Sequence, residues 1–586
     1  MLETQSVKGH LLFGKSPIYM LERILLMKLY LLNNGNVDHE ALLLRVLKER
    51  IPVDLCEEGM KLSLNIDESL EKKESYRITE IDGGWQIDGS DSLGLYYGIG
   101  KLLHTAKWSD KDFAPNPPAG VISPYCSLRV IYVANHFYNW YMTAPAETIV
   151  EYMEELILWG YNALITMLPT VNAKSLDDPL ITAQIGRVKK FYDTAKMYGL
   201  QILGGGGGNQ TTGDLPEELR ATYEYGNWTN RGFLGTNACY SKPEAVEFLR
   251  NKRRKSVEFN KKHFDVTFDY SISWPYDEGG CGCKDCYPWG GNKFLDVVKD
   301  AYETVKEYNP NAKYIVSTWA FDYPEDEGEY EALYKRLKGD LSFVDYLLID
   351  SHTEYPRYPL THEPVKPILN FPEISMWELY PWGGFGANPL PKRFQAIWDE
   401  SKHIISGGEP YSEGRYEDIS KIQFIGYYWD KDRDYRDIFR EYINYELDIE
   451  AYDDIMEMID CIEDNHVVVG NEGQPDLAKA ERAVALAKKI DGYLSERSKN
   501  AWRWRYLYIR AILDEKRYRY YLNHNMKGAD DSWLLRYCSG VFLLKDQEAQ
   551  DLLAELRVLS SSLSPINVQN RHTLPPLNGC VLISDI

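Results

Sequence analysis

From residue 127 to about residue 430 the chain repeats one unit, a short β-rich apolar run followed by a longer stretch of helical periodicity. That alternation limits the fold more than any other feature of the sequence. Strands are predicted at 128–133, 163–167, 201–203, 265–271, 314–318, 344–349, 368–376 and 404–411. Helical patterns at 146–159, 184–198, 243–262, 294–308, 329–337, 392–403 and 419–429 follow or separate them. An open doubly wound sheet gives a similar pattern, but eight units within about 300 residues favour closure into a (β/α)8 TIM barrel.

The flanks read differently. Before the barrel, strands are predicted at 61–66 and 76–81, with a turn at Asp82-Gly83-Gly84 and a helix over 93–103. The Pro-rich segment 114–120 reads as a linker. Beyond Asp434 the strand signal stops, and 435–460, 476–495, 501–523 and 546–561 carry helical periodicity with dense i,i+4 charge pairs. The expected fold class is therefore α/β. An N-terminal small α/β accessory domain (1–122) precedes the catalytic barrel (123–433), and a C-terminal helical domain (434–586) follows it. Trp502, Trp504, Tyr506, Tyr508, Tyr518, Tyr520 and Tyr521 are too many rings for a freely solvated bundle. That region should pack on the barrel or form the subunit interface of a homo-oligomer.

Charge narrows the partners. With 66 basic against 88 acidic residues the net charge is −22, which disfavours nucleic acid and anionic membranes. The 44 Tyr and 15 Trp, several just after predicted strands, offer flat apolar faces with polar edges that suit a carbohydrate partner. The amino terminus lacks the pattern of a signal peptide, and the apolar stretch 18–32, broken by Glu22, Arg23 and Lys28, reads as an amphipathic helix. No run has the length to span a bilayer, so a cytoplasmic enzyme is expected. Nine cysteines without a regular framework fit reduced thiols.

In a barrel of this kind the loops at the carboxyl ends of the strands form the open face. Strand one delivers Asn135, His136 and Trp140, and strand three delivers Gly204 to Gly208 and Asn209. Strand four runs into Trp274-Pro275-Tyr276-Asp277-Glu278-Gly279-Gly280-Cys281, two adjacent carboxylates bracketed by rings and glycines. Strand five delivers Trp319 and Asp322, and strand six Asp350 and His352. Trp377, Glu378 and Trp382 follow strand seven, and Glu413 and Arg415 follow strand eight. Asp277 and Glu278 are the expected catalytic pair, since neighbouring charge and burial against rings can divide acid and orienting roles between them. His136, Asn209, Trp274, Tyr276, Trp319, Asp350, His352, Trp377, Glu378, Trp382, Glu413 and Arg415 are the expected substrate contacts. The glycine run reads as a turn, and Glu417 and Asp418 as first-turn residues of a helix.

Cys281-Gly282-Cys283-Lys284-Asp285-Cys286 is a compact thiol cluster directly after the carboxylates. With Cys239 as a fourth ligand, Cys281, Cys283 and Cys286 could hold a structural zinc that pins the loop. No cofactor is expected for catalysis. No Gly-x-Ser-x-Gly elbow, His-Glu-x-x-His or dinucleotide fingerprint is present, which lowers acyl transfer, zinc proteolysis and hydride transfer.

On these residues the chain resembles the barrel glycosidases that include the family-20 β-N-acetylhexosaminidases and the α-glucuronidases. The run Gly94 to Leu103 is similar to the last helix of the small domain before the barrel in both groups. Tyr276-Asp277-Glu278 is similar to the hexosaminidase Gly-Gly-Asp-Glu motif, and a helical domain after the barrel is common to α-glucuronidases and related hexosaminidases. The resemblance implies Glu278 as general acid/base, with Asp277 orienting a 2-acetamido group that attacks the anomeric carbon with retention. Departures are the Trp-Pro-Tyr before the Asp and the absence of Asp-x-x-Arg in strand one, which offers only Arg129 and His136. The expected activity is thus an exo-acting, hexosaminidase-like glycoside hydrolase on oligosaccharides or glycoconjugates. The alternatives are an inverting α-glucuronidase-type enzyme using Asp350, Glu378 or Glu413 as base, or a non-catalytic carbohydrate-binding barrel.

Overall fold

The computed structural model describes residues 27–34, 39–109, 113–135, 139–168, 173–205, 207–226, 235–276, 279–321, 328–352, 354–375, 379, 381–466, 475–523 and 544–560. Its centre is a closed barrel of eight parallel strands. In chain order they are Leu128–Val133, Ala163–Thr166, Gln201–Gly205, Tyr270–Ser273, Lys313–Ser317, Tyr346–Ser351, Ile368–Pro372 and Ile405–Gly408. Closure is made where Gly407 and Gly408 pair with Leu128 and Arg129. Both faces of the strands are covered, which is why they read as continuous apolar runs. Leu128–Val133, for instance, is buried at every position.

The fourth strand lies later than its apolar pattern predicts. Helix Pro243–Phe264 runs through His263 and Phe264 and stops only where Asp265 turns left-handed, at φ 52°. Phe264 and Val266 are buried without being in the barrel wall, and the strand begins at Tyr270. The predicted window 265–271 therefore joins a helix end to a strand start. The shift moves the strand's exit to Ser273, one residue before Trp274.

The small domain is a six-stranded sheet in the order Val53–Leu55, Met27–Asn33, Met60–Ile66, Gly84–Gly89, Tyr76–Ile81, Val121–Ile122. Residues 27–33 form a parallel inner strand, which corrects the amphipathic-helix reading of 18–32; residues 18–26 lie outside the described set. Lys28 is exposed on that strand while Met27 and Leu29 are buried, so the charge that suggested the polar face of a helix sits on the outward face of a pleat. Helix Ser92–Thr105, capped by the Asp91 carboxylate, packs against barrel helix Ala146–Trp159. A Cβ at Gly100 would lie 1.9 Å from the Leu158 carbonyl oxygen, so the close approach requires glycine there.

Beyond the barrel, helices Tyr435–Glu446, Tyr452–Asp464, Leu477–Tyr493, Trp502–Asn523 and Gln547–Leu559 form the third layer. Trp504, Tyr506, Tyr518 and Tyr521 are buried and Trp502, Tyr508 and Tyr520 half-buried. Arg503 donates to Asp418 at 2.8 Å at the start of barrel helix Asp418–Trp429 and pairs with Glu446 at 3.2 Å. No helix among the described residues is long and apolar enough to cross a membrane.

Candidate active site

Strand alternation fixes what the barrel mouth contains. Gly408 faces outward, since a Cβ there would lie 1.9 Å from the Tyr428 hydroxyl on helix Asp418–Trp429. The next residue, Glu409, continues the ladder by donating its amide to the Asn370 carbonyl, and it faces the interior. Above it Tyr411 meets Tyr132 and Phe371, with ring centroids 5.0 and 5.8 Å apart, and Trp274 meets Phe371 edge-on at 5.1 Å. These four rings come from strands one, four, seven and eight. Together they make an aromatic floor at the carboxyl end of the barrel, and Trp274 is its half-buried member.

Polar groups surround this floor. Asp350, at the end of strand six, is buried, and its Oδ2 lies 3.2 Å from Nε2 of half-exposed His352 and 3.5 Å from the amide of Ala320. Ala320 holds a left-handed conformation, φ 62°, that an alanine adopts only at a cost in energy. Trp319, half-buried beside it, donates its amide to the Ser317 hydroxyl. On strand eight's loop the Tyr411 hydroxyl donates to Glu413 at 3.0 Å. Glu417 holds that loop in place by accepting from the amides of Glu413 and Gly414, both at 3.0 Å, and from the hydroxyls of Ser412 and Ser375. Burial raises the Glu417 carboxyl, with Lys421 opposing from 4.0 Å.

The loop after strand four is braced on both sides. The Tyr276 hydroxyl donates to Glu329 at the start of helix Glu329–Leu337, and the Gly290 amide donates to the same carboxylate at 2.6 Å. The Trp289 indole donates to the Pro275 carbonyl. On the other flank, Asn209 donates to the carbonyls of Ala238 at 2.8 Å and Gly280 at 3.2 Å. The glycine run serves this packing: Gly207 has φ 77°, and a Cβ at Gly208 would lie 2.5 Å from the Trp274 carbonyl oxygen.

Several expected substrate contacts take other roles. Asn209 and Tyr276 are buried and spend their hydrogen bonds on the loop framework. Trp382 is wholly buried, with its indole donating to Asp514 of helix Trp502–Asn523 at 2.9 Å. Arg415 lies over Trp140 and Trp502 and donates to the Leu559 carbonyl at 2.8 Å, joining the barrel to the last described helix. Arg129 is buried, donating to the carbonyls of Gly160 and Cys126 and to Glu74 of the small domain, so it too is structural. Trp274, Trp319, Asp350, His352 and Glu413 stand at strand ends around the mouth. Asp277, Glu278, His136, Trp377, Glu378 and Asp322 lie outside the described residues.

The structure adds residues that the sequence reading passed over. Glu409 is fully buried, neither carboxylate oxygen has a partner among the described residues, and burial pushes its pKa well above the ordinary carboxylate range. Glu373 is buried beside Tyr411 across the isolated bridge between strands seven and eight. An acid inside the predicted strand 404–411 was the signal for Glu409. Asn135, which the sequence already places at the end of strand one, is buried with both amide atoms unpaired among the described residues. The four thiols of Cys239, Cys281, Cys283 and Cys286 converge, with all sulfurs within 4.8 Å of one another. None of the described cysteines is in a disulfide.

A cleft of about 960 Å³ between helix Ser92–Thr105 and the helices after residue 434 is a separate feature, lined by Arg50, His104, Trp108 and Arg497. It holds none of the strand-end residues.

No protein-family model and no curated protein matches the chain. Solved structures do. A family 89 glycoside hydrolase from Clostridium perfringens, in complex with PUGNAc, superposes with TM-score 0.57 at 13% identity, covering 89% of this chain and 65% of that one. The chain thus spans slightly less than two thirds of that enzyme. A form of the same enzyme with two glutamates replaced by glutamine is in complex with its substrate GlcNAc-α-1,4-galactose. A family 115 4-O-methyl-α-glucuronidase with specificity for decorated arabinogalactans superposes with TM-score 0.59 at 12% identity, over 94% of this chain and 78% of that one. A family 138 enzyme targeting pectin rhamnogalacturonan II gives 0.53 at 12%, over 94% and 95%. At these identities the likeness is one of fold: the chain has the architecture of barrel glycoside hydrolases.

Proposed function

We propose that the chain is a glycoside hydrolase working at the carboxyl end of its barrel, with Glu278 as general acid/base and Asp277 assisting. The observation that carries this reading is the mouth itself, where Trp274 joins Tyr132, Phe371 and Tyr411 in a floor flanked by Asp350, His352 and Glu413. A sugar ring stacks on such a surface through its C–H face while carboxylates meet its edge. Trp274 is three residues before Asp277 in the sequence. The fold shared with three families of glycoside hydrolases supports the reaction class.

Hydrolysis needs a proton delivered to the leaving oxygen and stabilisation of a cationic sugar. Glu278 supplies the proton. In the hexosaminidase-like course, Asp277 orients a substrate acetamido group that attacks the anomeric carbon, and the ionised Glu278 then activates water. In the inverting course, water is activated by a second carboxylate, Asp350, Glu378 or Glu413, roughly 6.5–9.5 Å from the acid. The burial of Asp350 and Glu413 around the mouth supports a two-carboxylate course. The substrate class is short oligosaccharides or glycoconjugates processed from their ends.

The test is a panel of aryl α- and β-glycosides of N-acetylglucosamine, glucuronic acid and neutral sugars, run with wild type and Glu278→Gln, with the first anomer released read by NMR. Retention together with inhibition by a thiazoline mimic supports substrate assistance, and inversion supports the second carboxylate as base. Binding of sugars without turnover by wild-type protein on the whole panel would replace the hydrolase with a binding barrel.

A further inference from the structure

We infer that Cys239, Cys281, Cys283 and Cys286 bind one zinc ion that fastens the strand-three loop to the strand-four loop. The inference stands on the thiol geometry and is independent of the glycosidase reading. Four thiolates around zinc at about 2.3 Å form a tetrahedron whose edges are roughly 3.8 Å. The Cys239 and Cys283 sulfurs are 3.7 Å apart, and no pair in the group is more than 4.8 Å apart. A disulfide needs sulfurs about 2.05 Å apart, so the spacing fits a shared ion and not a bridge.

The backbone holds the ligands in this arrangement. Cys281, Cys283 and Cys286 come from one tight loop, in which the Cys286 amide donates to the Cys283 carbonyl at 3.0 Å. That loop is threaded against residues 222–225: the Gly282 amide donates to the Thr222 carbonyl at 2.7 Å, and the Tyr225 amide donates to the Gly282 carbonyl at 2.9 Å. A Cβ at residue 282 would lie 2.3 Å from the Tyr225 carbonyl oxygen, so the glycine between the first two ligands is required by the approach. Cys239 arrives from the preceding βα loop, its amide donating to the Leu219 carbonyl at 2.9 Å. The Ser241 hydroxyl lies 3.0 Å from the Cys239 sulfur and 3.7 Å from that of Cys283, placed to donate to thiolates as outer-shell groups of metal sites do.

A closed four-thiolate shell leaves no position for water, which assigns the ion a structural role. Three of the four cysteines are buried, in keeping with that role. Residues 281–286 follow Gly280, whose carbonyl Asn209 holds, so the ion and Asn209 clamp the same loop at neighbouring points.

The test is metal analysis of the purified full-length protein, with cobalt(II) exchange as a second readout. About one zinc per chain is expected, and the cobalt form should show thiolate-to-metal charge transfer with the ligand-field bands of a tetrahedral S4 site. Cys283→Ser should lose the metal and melt at lower temperature, and Ser241→Ala should weaken zinc binding on the order of 10-fold. Wild-type analysis decides the matter even where a cysteine variant fails to fold. Metal-free protein with four titratable thiols and unchanged melting after chelation, a disulfide found by mass spectrometry, or stoichiometric iron would each overturn the assignment. Because metal content is read without substrate, failure here and failure of the hydrolase reading are distinguishable.

Discussion

Glu409 shows how far burial alone can set the state of a single side chain inside this barrel. With no described partner for either oxygen, burial raises its pKa well above the value of about 4.3 at which a glutamate ionises in the unfolded chain. A native pKa raised above the unfolded one means that the native state loses ground as pH rises, because only the unfolded chain releases the proton. Glu409→Gln should therefore match wild type at and below about pH 4 and gain stability relative to it as pH rises above that value, read as melting temperature across the range. A difference that stays constant with pH would show that Glu409 is ionised in the fold. For the proposed acid, Glu278→Gln should lower turnover by roughly 10² to 10⁴ on substrates with poor leaving groups and much less on activated aryl glycosides. Asp277→Asn should damage both, since it acts on the cationic centre and not on proton delivery. Equal losses on both substrate types for Glu278→Gln would remove it as the acid. At this scale the sequence was a partial guide. Polar and aromatic residues at strand ends were legible, but Trp382, Tyr276 and Arg415 have the same local signature as Trp274 and are spent on packing. Only the neighbour across space decides, and that neighbour is often more than a hundred residues away.

Elements explain why strand four was both the best and the worst reading. Its exit was legible because Trp274 and the glycines mark a strand running out into a loop. Its start was misplaced because Phe264 and Val266 carry the apolar pattern on through a helix end. Strand alternation, by contrast, identified the barrel without any motif, since eight buried strands and their helices leave a period that composition cannot hide. The brace from Tyr276 to Glu329 joins this strand's loop to the helix that follows strand five. Tyr276→Phe removes a buried bond to a carboxylate and should destabilise the protein by about 1.5 to 3 kcal/mol in urea unfolding. If the loop carries the acid, the same variant should lower kcat more than it raises KM, because it disturbs positioning and not affinity. Unaltered kcat at reduced stability would confine Tyr276 to the fold.

The whole molecule depends on the seam between barrel and helical layer. Asp514 sits in that seam, accepting from Trp382 at 2.9 Å and pairing with Arg510 and Arg517. Burial would raise its pKa, but the two guanidiniums more than offset this and hold it below the ordinary value. A lowered native pKa contributes stability above the unfolded value, about pH 3.9, that is lost as pH falls through the native one. Asp514→Asn should therefore cost stability at neutral pH and flatten the acid limb of unfolding, and an unchanged acid limb would contradict the role. A stop codon near residue 436 should give aggregated or inactive protein, because it strips Arg503 and the buried rings of helix Trp502–Asn523 from the barrel. Soluble, active barrel from that truncation would refute the dependence.

The bond from Arg415 to the Leu559 carbonyl spans 144 residues. On the ribosome, therefore, the eight strands are all synthesised well before the segment that fastens the rim of the eighth loop. The nascent barrel passes through a stage in which its floor is built while one side of its mouth lacks its final support. Contacts this distant in sequence form late. Pulsed hydrogen exchange during refolding should find the amides of helix Gln547–Leu559 protected after those of strands one to seven, so that the enzyme acquires its shape before the rim of its pocket is fastened.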